Sequence, residues 1–140
     1  MYLLDTDHLS LLERGGAEAE HLVARLAAVG LTAIATTIVS YEEQTRGWLS
    51  YMARARSLDR QVAVYRRLQQ HLVNFCTIPL VAFDEDAAQI VQRLQQARLR
   101  MGTMDMKIAA IALAHEATLL TRNLSDFSRV PQLREEDWTV

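Results

Sequence analysis

Three acidic side chains occupy positions from which carboxylates can bind a metal ion. Asp5 follows the short apolar segment Tyr2–Leu4 in LLDTDHLS, and Glu43 lies in SYEEQTRG. Asp105 begins the apolar stretch DMKIAAIALA. Carboxylate oxygens are the ligands that Mg²⁺ and Mn²⁺ prefer, and in phosphodiester hydrolysis such ions activate a water and stabilise the leaving oxygen. The pattern predicts an acidic site for Mg²⁺ or Mn²⁺, provided that the fold brings the three carboxylates together.

The most informative stretch is 102–133, GTMDMKIAAIALAHEATLLTRNLSDFSRVPQL, in which polar groups flank a predicted helix and strand. Because a parallel strand returns the chain to the sheet edge where ligands bind, the polar groups after the strand can approach Asp105 at the start of the helix. The side chains expected to orient the ligands or water, or to add a ligand, are Thr6, Asp7, Thr121, Asn123 and Asp126.

Glu43 has two competing interpretations. Ser40-x-x-Glu43 fits a capping box, in which the serine and the glutamate satisfy amides at a helix terminus and take no part in chemistry. If the helix instead begins near Thr37, Glu43 lies in its second turn. The neighbouring Glu42 points about 100° away on a helix, so only one of the two can join the site. Spacing alone does not choose between them.

The other candidates also have structural interpretations. A carboxylate directly after a strand, such as Asp5, often serves as a turn residue or a helix N-cap. Asp105 in the first turn of a helix complements the helix dipole. Asn123 and Asp126 suit turns. Each interpretation is sufficient to explain its own residue. Together they do not explain why all these polar residues lie at corresponding ends of successive strand–helix units.

Composition indicates one globular domain, 1–140, with 50% hydrophobic and 23% charged residues. The single cysteine, Cys76, excludes an intramolecular disulfide and fits a reducing cytoplasm. Asp5 comes after only three apolar or aromatic residues following Met1, which argues against a secretory signal. The longest apolar run, 108–114, is too short to cross a bilayer. We therefore expect a cytoplasmic protein with no membrane partner.

The arginines are unevenly distributed, although a net charge of -2 does not by itself indicate a nucleic-acid binder. Between Gln44 and Leu72 the only acid is Asp59, whereas the arginines are Arg46, Arg54, Arg56, Arg60, Arg66 and Arg67. Such a face can attract phosphates or an acidic protein, or it can be an ordinary solvated helix surface.

Strands and helices are predicted to alternate along the chain. The strands are expected at 2–4, 33–36, 79–83 and 118–121, with an edge strand at 137–140. The helices are expected at 8–12, 17–29, 37 to beyond 43, 84–97 and 107–115, with one or two more across 48–76. This alternation predicts a parallel α/β sheet with helices on both faces, which binds ligands at the carboxyl ends of its strands.

Three segments of the chain, in their order, resemble the motifs of the PIN-domain ribonucleases, in particular the VapC-type toxins of bacterial toxin–antitoxin pairs. These segments are LLDTDHLS, TTIVSYEEQTRG and residues 102–133. The most specific part is DMKIAAIALA followed by TLLTRNLSDFSRVPQL. The resemblance implies a PIN-like three-layer sandwich with a short, mainly parallel sheet flanked by helices. It also implies a protruding helical segment around 48–76, a region that itself contributes little to the resemblance.

The resemblance further implies a metal-dependent endoribonuclease that cleaves single-stranded or looped RNA. Asp5, Glu43 and Asp105 match the metal-binding acids of the family, and Glu43 is preferred to Glu42 because the family's glutamate typically stands four residues before a glycine, here Gly47. The implied partners are RNA, a small cognate VapB-like antitoxin and a second copy of the chain. The arginines that would contact RNA or antitoxin are Arg46, Arg54 and Arg56.

Two positions depart from the family pattern. Asp7 stands where many relatives have asparagine, and Asn123 occupies the fourth acidic position of the broader family, with Asp126 three residues on. The asparagine at position 123 leaves open whether one or two metal ions bind.

Three other functions compete with the toxin. A strand followed by Asp-x-Asp also begins the haloacid-dehalogenase-like phosphatases, which need a lysine near the phosphate, and Lys107 is the only lysine. A catalytically inert relative would dock RNA or protein through its arginine-rich helices, although a pure binder has no reason to gather like charges. An RNA-processing PIN nuclease would keep the chemistry without the toxin role.

Overall fold

The computed structural model describes residues 1–140. Its centre is a five-stranded parallel sheet with the strand order β3-β2-β1-β4-β5. The strands are β1 Tyr2–Leu4, β2 Ile34–Thr37, β3 Leu80–Val81, β4 Thr118–Leu120 and β5 Arg134–Glu136. The α-helices are α1 Thr6–Arg14, α2 Ala17–Val29, α3 Ile38–Arg54, α4 Leu58–Cys76, α5 Glu85–Gln96, α6 Thr103–Ala114 and α7 Leu124–Phe127. One turn of 3₁₀-helix, Leu31–Ala33, precedes β2.

Alternate residues of the central strands face opposite helical layers. Leu3 is paired with Ala35 and Leu119, and these three side chains lie in the buried cluster that contains the apolar faces of α5 and α6. Leu4 and Leu120, one residue further along, belong to the other cluster, with the apolar faces of α1 and α2. Because side chains of a strand alternate between faces, this pairing buries both sides of the sheet. The predicted parallel α/β sandwich is confirmed.

Several helix boundaries follow from local sequence. Asp84 accepts a hydrogen bond from the amide of Ala87 at 3.0 Å and caps α5, as predicted. Gly30, with φ of 86°, ends α2 in a conformation that side chains other than glycine rarely adopt. None of the helices combines the length and the apolar character needed to cross a membrane.

The region 48–76 forms the end of α3 and the whole of α4, which pack against each other. The two helices separate at Ala55–Ser57, where the Ser57 hydroxyl accepts from the amide of Arg60 and begins α4. Near the sheet, His71 and Phe75 are buried, and His71 stacks on Tyr41. At the opposite end of this helical hairpin most side chains are exposed, and Ala55 is the buried exception.

The edge strand expected at 137–140 is wrong, and the edge strand is β5 at Arg134–Glu136 instead. Asp137 folds the chain away from the sheet because its carboxylate accepts hydrogen bonds from both the amide and the hydroxyl of Thr139. Trp138 is then buried against Tyr2, and its indole donates to Glu136. The apolar pattern of this terminus reflects a packed loop and not a strand.

Candidate metal centre

The register of the sheet places the predicted site residues at one edge. Leu4 of β1 is paired with Thr36 of β2 and Leu120 of β4. β1 ends at Leu4 and β4 ends at Leu120, and the amide of Asp5 donates to the carbonyl of Leu120 at 2.9 Å. Asp5 and Thr121 therefore lie side by side at the carboxyl edge, which is where parallel sheets bind ligands.

Asp5 is a buried carboxylate without an ion-pair partner. One oxygen accepts from the amide of Thr6 at 2.7 Å, which makes Asp5 the N-cap of α1, and the other accepts from the Thr121 hydroxyl at 2.8 Å. Burial raises the pKa of Asp5 to about 7, and the charges of Asp7 and Asp105 add to this increase. The capping interpretation is therefore correct but accounts for only one of the two oxygens.

Glu43 lies in the second turn of α3 and points toward Thr6. The helix is capped by Thr37, whose hydroxyl accepts from the amide of Ser40 at 3.0 Å, so the capping-box interpretation of Ser40 and Glu43 does not hold. A Glu43 carboxylate oxygen accepts from the Thr6 hydroxyl at 3.3 Å. Burial raises the pKa of Glu43, and the charge of Asp105 raises it further.

Glu42 belongs to a different surface. It forms an ion pair of 2.7 Å with Arg46 and lines a cleft that also contains Lys107 and Phe83. The Lys107 ammonium lies 5.8 Å from the centre of the Phe83 ring, and this lysine forms no salt bridge with any carboxylate. The lysine that a haloacid-dehalogenase-like phosphatase would need is thus directed to another cleft.

Asp105 lies in the first turn of α6, where it also suits the helix dipole. Burial raises its pKa, and the charges of Asp126 and Asp7 raise it further, so these acids lie near one another. Asn123 donates from its amide to the Asp126 carboxylate at 3.0 Å. Asp5, Glu43 and Asp105 are called the acidic edge below.

Asp7 has an environment unlike that of the acidic edge. Its Oδ1 lies 2.8 Å from His8 Nδ1, and its Oδ2 accepts from the backbone amide of Arg122 at 2.9 Å. The amide of Trp138 donates to His8 Nε2, so the neutral ring carries its proton on Nδ1 and donates it to Asp7. Burial alone would raise the pKa of Asp7, but the hydrogen bonds from His8 and Arg122 lower it below its usual range.

We call this group of Asp7, His8, Arg122 and Trp138 the Asp7–His8 corner. The sequence motifs predict no functional role for His8 or Trp138, although both are buried and link α1 to the end of the chain. An acid followed by a histidine carries no spacing signal for this contact, because Trp138 lies 130 residues away. The corner fixes Thr121, whose hydroxyl lies 2.8 Å from Asp5 and 3.3 Å from Asp7.

The acidic edge fits a hard divalent cation in its donor chemistry. All the predicted ligands are oxygen donors, and Asp5, Glu43 and Asp105 form no salt bridge with a basic side chain. In the present arrangement no three acidic, histidine or cysteine side chains stand close enough together to share one ion. Binding by all three therefore requires a change of rotamer or intervening water molecules.

The three arginines predicted to contact RNA or antitoxin lie on α3 and in the connection to α4, outside the acidic edge. Arg46 is neutralised by Glu42. The Arg54 guanidinium lies 5.1 Å from the centre of the Tyr51 ring, and Arg56 is exposed in the connection between α3 and α4.

The fold and the acidic edge together define the class of the protein, a parallel α/β domain with a carboxylate site at the carboxyl ends of its strands. A sequence profile of the PIN domain matches residues 2–133. The chain belongs to the PIN-domain family, as the motifs predicted.

Curated relatives match a short part of the chain. Ribonuclease VapC2 of Rickettsia felis is 44% identical over 45 residues, and ribonuclease VapC1 of the same organism is 46% identical over 46 residues. These segments cover 32% and 33% of this chain and span only 34% of the length of each relative.

Solved structures share the fold over nearly the whole chain. VapBC2 from Rickettsia felis, bound to a DNA fragment from its promoter, superposes with a TM-score of 0.71 at 23% identity, covering 98% of both chains. FitAcB from Neisseria gonorrhoeae superposes with a TM-score of 0.73 at 25% identity, covering 99% of this chain and 98% of that one.

Proposed function

We propose that this chain is a divalent-metal-dependent endoribonuclease and the toxin of a bacterial toxin–antitoxin pair, with residues 1–140 acting as a single PIN domain. The observation that carries the proposal is the acidic edge, in which three carboxylates from different elements have no basic partner. Burial raises the pKa of each, and their mutual repulsion adds to the increase. Such an arrangement is unfavourable without a cation. Membership of the PIN-domain family and the ribonuclease names of the curated relatives support RNA as the substrate.

In this proposal Asp5, Glu43 and Asp105 hold Mg²⁺ or Mn²⁺ directly or through water. When bound, the cation supplies an activated water for attack on phosphorus and stabilises the charge that develops on the leaving oxygen. The Thr121 hydroxyl fixes the orientation of Asp5, and the Thr6 hydroxyl fixes that of Glu43. Asn123 and Asp126, joined by a hydrogen bond, orient water beside Asp105.

The toxin assignment is supported by the VapC names of the curated relatives and by a toxin–antitoxin complex from Klebsiella pneumoniae, which shares the fold at 24% identity. We infer a small VapB-like antitoxin as partner, a homodimer as the assembled form and the cytoplasm as the location. The exposed apolar side chains of α4 supply surface for a protein partner. These are Leu58, Val62, Tyr65, Leu72 and Val73.

Cleavage of end-labelled RNA by the purified protein tests the nuclease. We expect cleavage by the wild type in Mg²⁺ or Mn²⁺, none in EDTA, and a loss of at least about a hundredfold in Asp5→Asn, Glu43→Gln and Asp105→Asn, the scale typical of removing one group that stabilises transition-state charge. Glu42→Gln is the matched control, because Glu42 has the same chemistry but faces Arg46. Full activity in Asp5→Asn or Asp105→Asn would contradict the site.

Growth of a bacterial host tests the toxin role. Expression of the wild type should arrest growth, and expression of Asp5→Asn should not. If a small protein is encoded beside this gene, its co-expression should restore growth. Metal-dependent RNA cleavage without growth arrest would instead favour an RNA-processing nuclease.

A further inference from the structure

Two clefts adjoin and connect the acidic edge with the helical hairpin. The first, of about 260 Å³, is lined by Thr6 and Glu43 at one end and by Trp48 and Tyr51 at the other. The second, of about 690 Å³, is lined by Trp48 again and by residues of α4 that include Arg66, Arg67 and Gln70. Trp48 and Glu13 line both clefts, so the two clefts adjoin, and together they are called the α3–α4 groove.

The far end of the groove is positively charged. Arg66 and Arg67 are exposed, and neither forms a salt bridge, in contrast to Arg46. The Arg67 guanidinium lies 5.8 Å from the centre of the Trp48 ring, within cation–π distance. The only acid among the residues that line this part is Glu13, which accepts from the Asn74 amide. The groove therefore offers two unpaired cations to an anionic ligand.

The middle of the groove is aromatic. Trp48 is half-buried and Tyr51 is 58% exposed, and the centres of the two rings are 5.8 Å apart. An exposed aromatic pair beside arginines is the arrangement with which proteins bind single-stranded nucleic acid, because unpaired bases stack on the rings while arginines contact phosphates. A double helix does not present its base faces in this way.

In the lining of each cleft, one buried side chain has a polar atom without a hydrogen-bond partner. These atoms are Oε1 of Gln44 in the first cleft and Nδ1 of His71 in the second. Both side chains are more than nine-tenths buried, and an unsatisfied polar atom in that position is costly. Because neither atom has appreciable accessible surface, a ligand in the groove would reach it only after a movement of the side chain.

We propose that the α3–α4 groove binds single-stranded RNA, with phosphates at Arg66 and Arg67, bases on Trp48 and Tyr51, and the bond to be cut at the Glu43 end. The proposal rests on the proposed function for its class of ligand and adds the path of the substrate. It assigns the RNA contacts to the two unpaired arginines of α4 and not to Arg46.

Binding by a cleavage-deficient form tests the groove separately from the chemistry. The full chain carrying Asp5→Asn is titrated against fluorescein-labelled, unstructured 12-nucleotide oligouridylate and oligoadenylate at several salt concentrations. Adding Arg66→Ala and Arg67→Ala should reduce the slope of log K against log salt by about 1.4, since each phosphate contact to a single strand contributes about 0.7. Adding Trp48→Ala should weaken binding at least about fivefold, and Trp48→Phe should retain most of it.

The matched control is the double substitution Arg93→Ala and Arg100→Ala, which removes the same charge from exposed arginines outside the groove. Its salt slope should stay close to that of the parent. Equal slopes for the two double variants, or no salt-dependent RNA binding by the parent, would overturn the groove even if the wild type cleaves RNA. Binding of polyglutamate is measured with the same variants. If Arg66→Ala and Arg67→Ala weaken polyglutamate binding but leave RNA binding unchanged, the groove binds an acidic protein segment and the RNA proposal is overturned.

Discussion

Asp5 and Asp7 are two residues apart, yet they lie in electrostatically opposite regions. In the acidic edge, Asp5 is buried with no cationic partner, and its pKa is raised to about 7. In the Asp7–His8 corner, Asp7 accepts from His8 and from the amide of Arg122, and its pKa is lowered. The Thr121 hydroxyl touches both carboxylates and is the boundary between the two regions.

The acidic edge is arranged for function, and the Asp7–His8 corner is arranged for stability. A carboxylate whose hydrogen bonds outweigh the cost of burial stabilises the fold, whereas a carboxylate whose burial outweighs its hydrogen bonds and that has no cationic partner destabilises it. The acidic edge therefore lowers the stability of the metal-free protein, and the adjoining corner holds its residues in place despite that cost. The two regions should respond with opposite signs to the same substitution.

His8→Ala should have the largest effect on stability, because it dismantles the corner. The substitution removes a fully buried ring and leaves both Asp7 and the amide of Trp138 without their partner. We expect a loss of about 3 kcal/mol in the free energy of unfolding, measured with urea at pH 7. His8→Asn keeps a donor near Asp7 and His8→Gln keeps an acceptor for Trp138, so each should lose less. If His8→Ala is as stable as the wild type, the Asp7–His8 corner does not stabilise the fold.

Asp5→Asn should stabilise the metal-free protein. The pKa of Asp5 is 3.8 for the free side chain and about 7 in the fold. The fold is thus penalised progressively as the pH rises from about 4 to 7, and the full penalty, roughly 4 kcal/mol, applies above pH 7. Asparagine removes the charge but accepts hydrogen bonds at one atom only, so we expect a net gain of about 2 kcal/mol at pH 8 and less at pH 5.

Urea unfolding in EDTA at the two pH values measures this gain. A variant less stable than the wild type at pH 8 would contradict the unpaired state of Asp5. Addition of Mn²⁺ should stabilise the wild type and leave Asp5→Asn unchanged, because only the wild type retains the carboxylate.

Asp7→Asn should have the opposite sign. Because the pKa of Asp7 is lowered in the fold, its carboxylate contributes stability above the ordinary carboxyl range, and that contribution is lost as the pH falls through the lowered pKa. An asparagine can accept from His8, but its amide then faces the Arg122 amide as a second donor. We expect a loss of about 1 to 2 kcal/mol at pH 8 that disappears at low pH. A gain at pH 8, matching Asp5→Asn, would remove the distinction between the two regions.

Much of the acidic edge could be anticipated because it depends on strand ends. The parallel register places residues that directly follow β1 and β4 side by side, so Asp5 and Thr121 could be placed from hydrophobic pattern alone. The start of α3 could not, since Thr37 and Ser40 both suit an N-cap, and the choice depends on tertiary context. The Asp7–His8 corner could not be predicted from the sequence for a related reason, because His8 and Trp138 come into contact only when the C-terminal loop packs.

Substitutions of Glu42 and Glu43 should have the smallest effects on stability. They test whether Glu43, and not its neighbour, belongs to the acidic edge. Glu42→Gln breaks an exposed pair with Arg46, four residues on, which should cost only about 0.3 to 0.5 kcal/mol. Glu43→Gln removes a carboxylate whose pKa is raised, so the metal-free variant should be at least as stable as the wild type. The discriminating measurement is the rise in Tm on adding Mn²⁺, which Glu42→Gln should retain and Glu43→Gln should lose in part. Equal rises in the two variants would place Glu43 outside the metal centre, and the acidic edge would then consist of Asp5 and Asp105 with water.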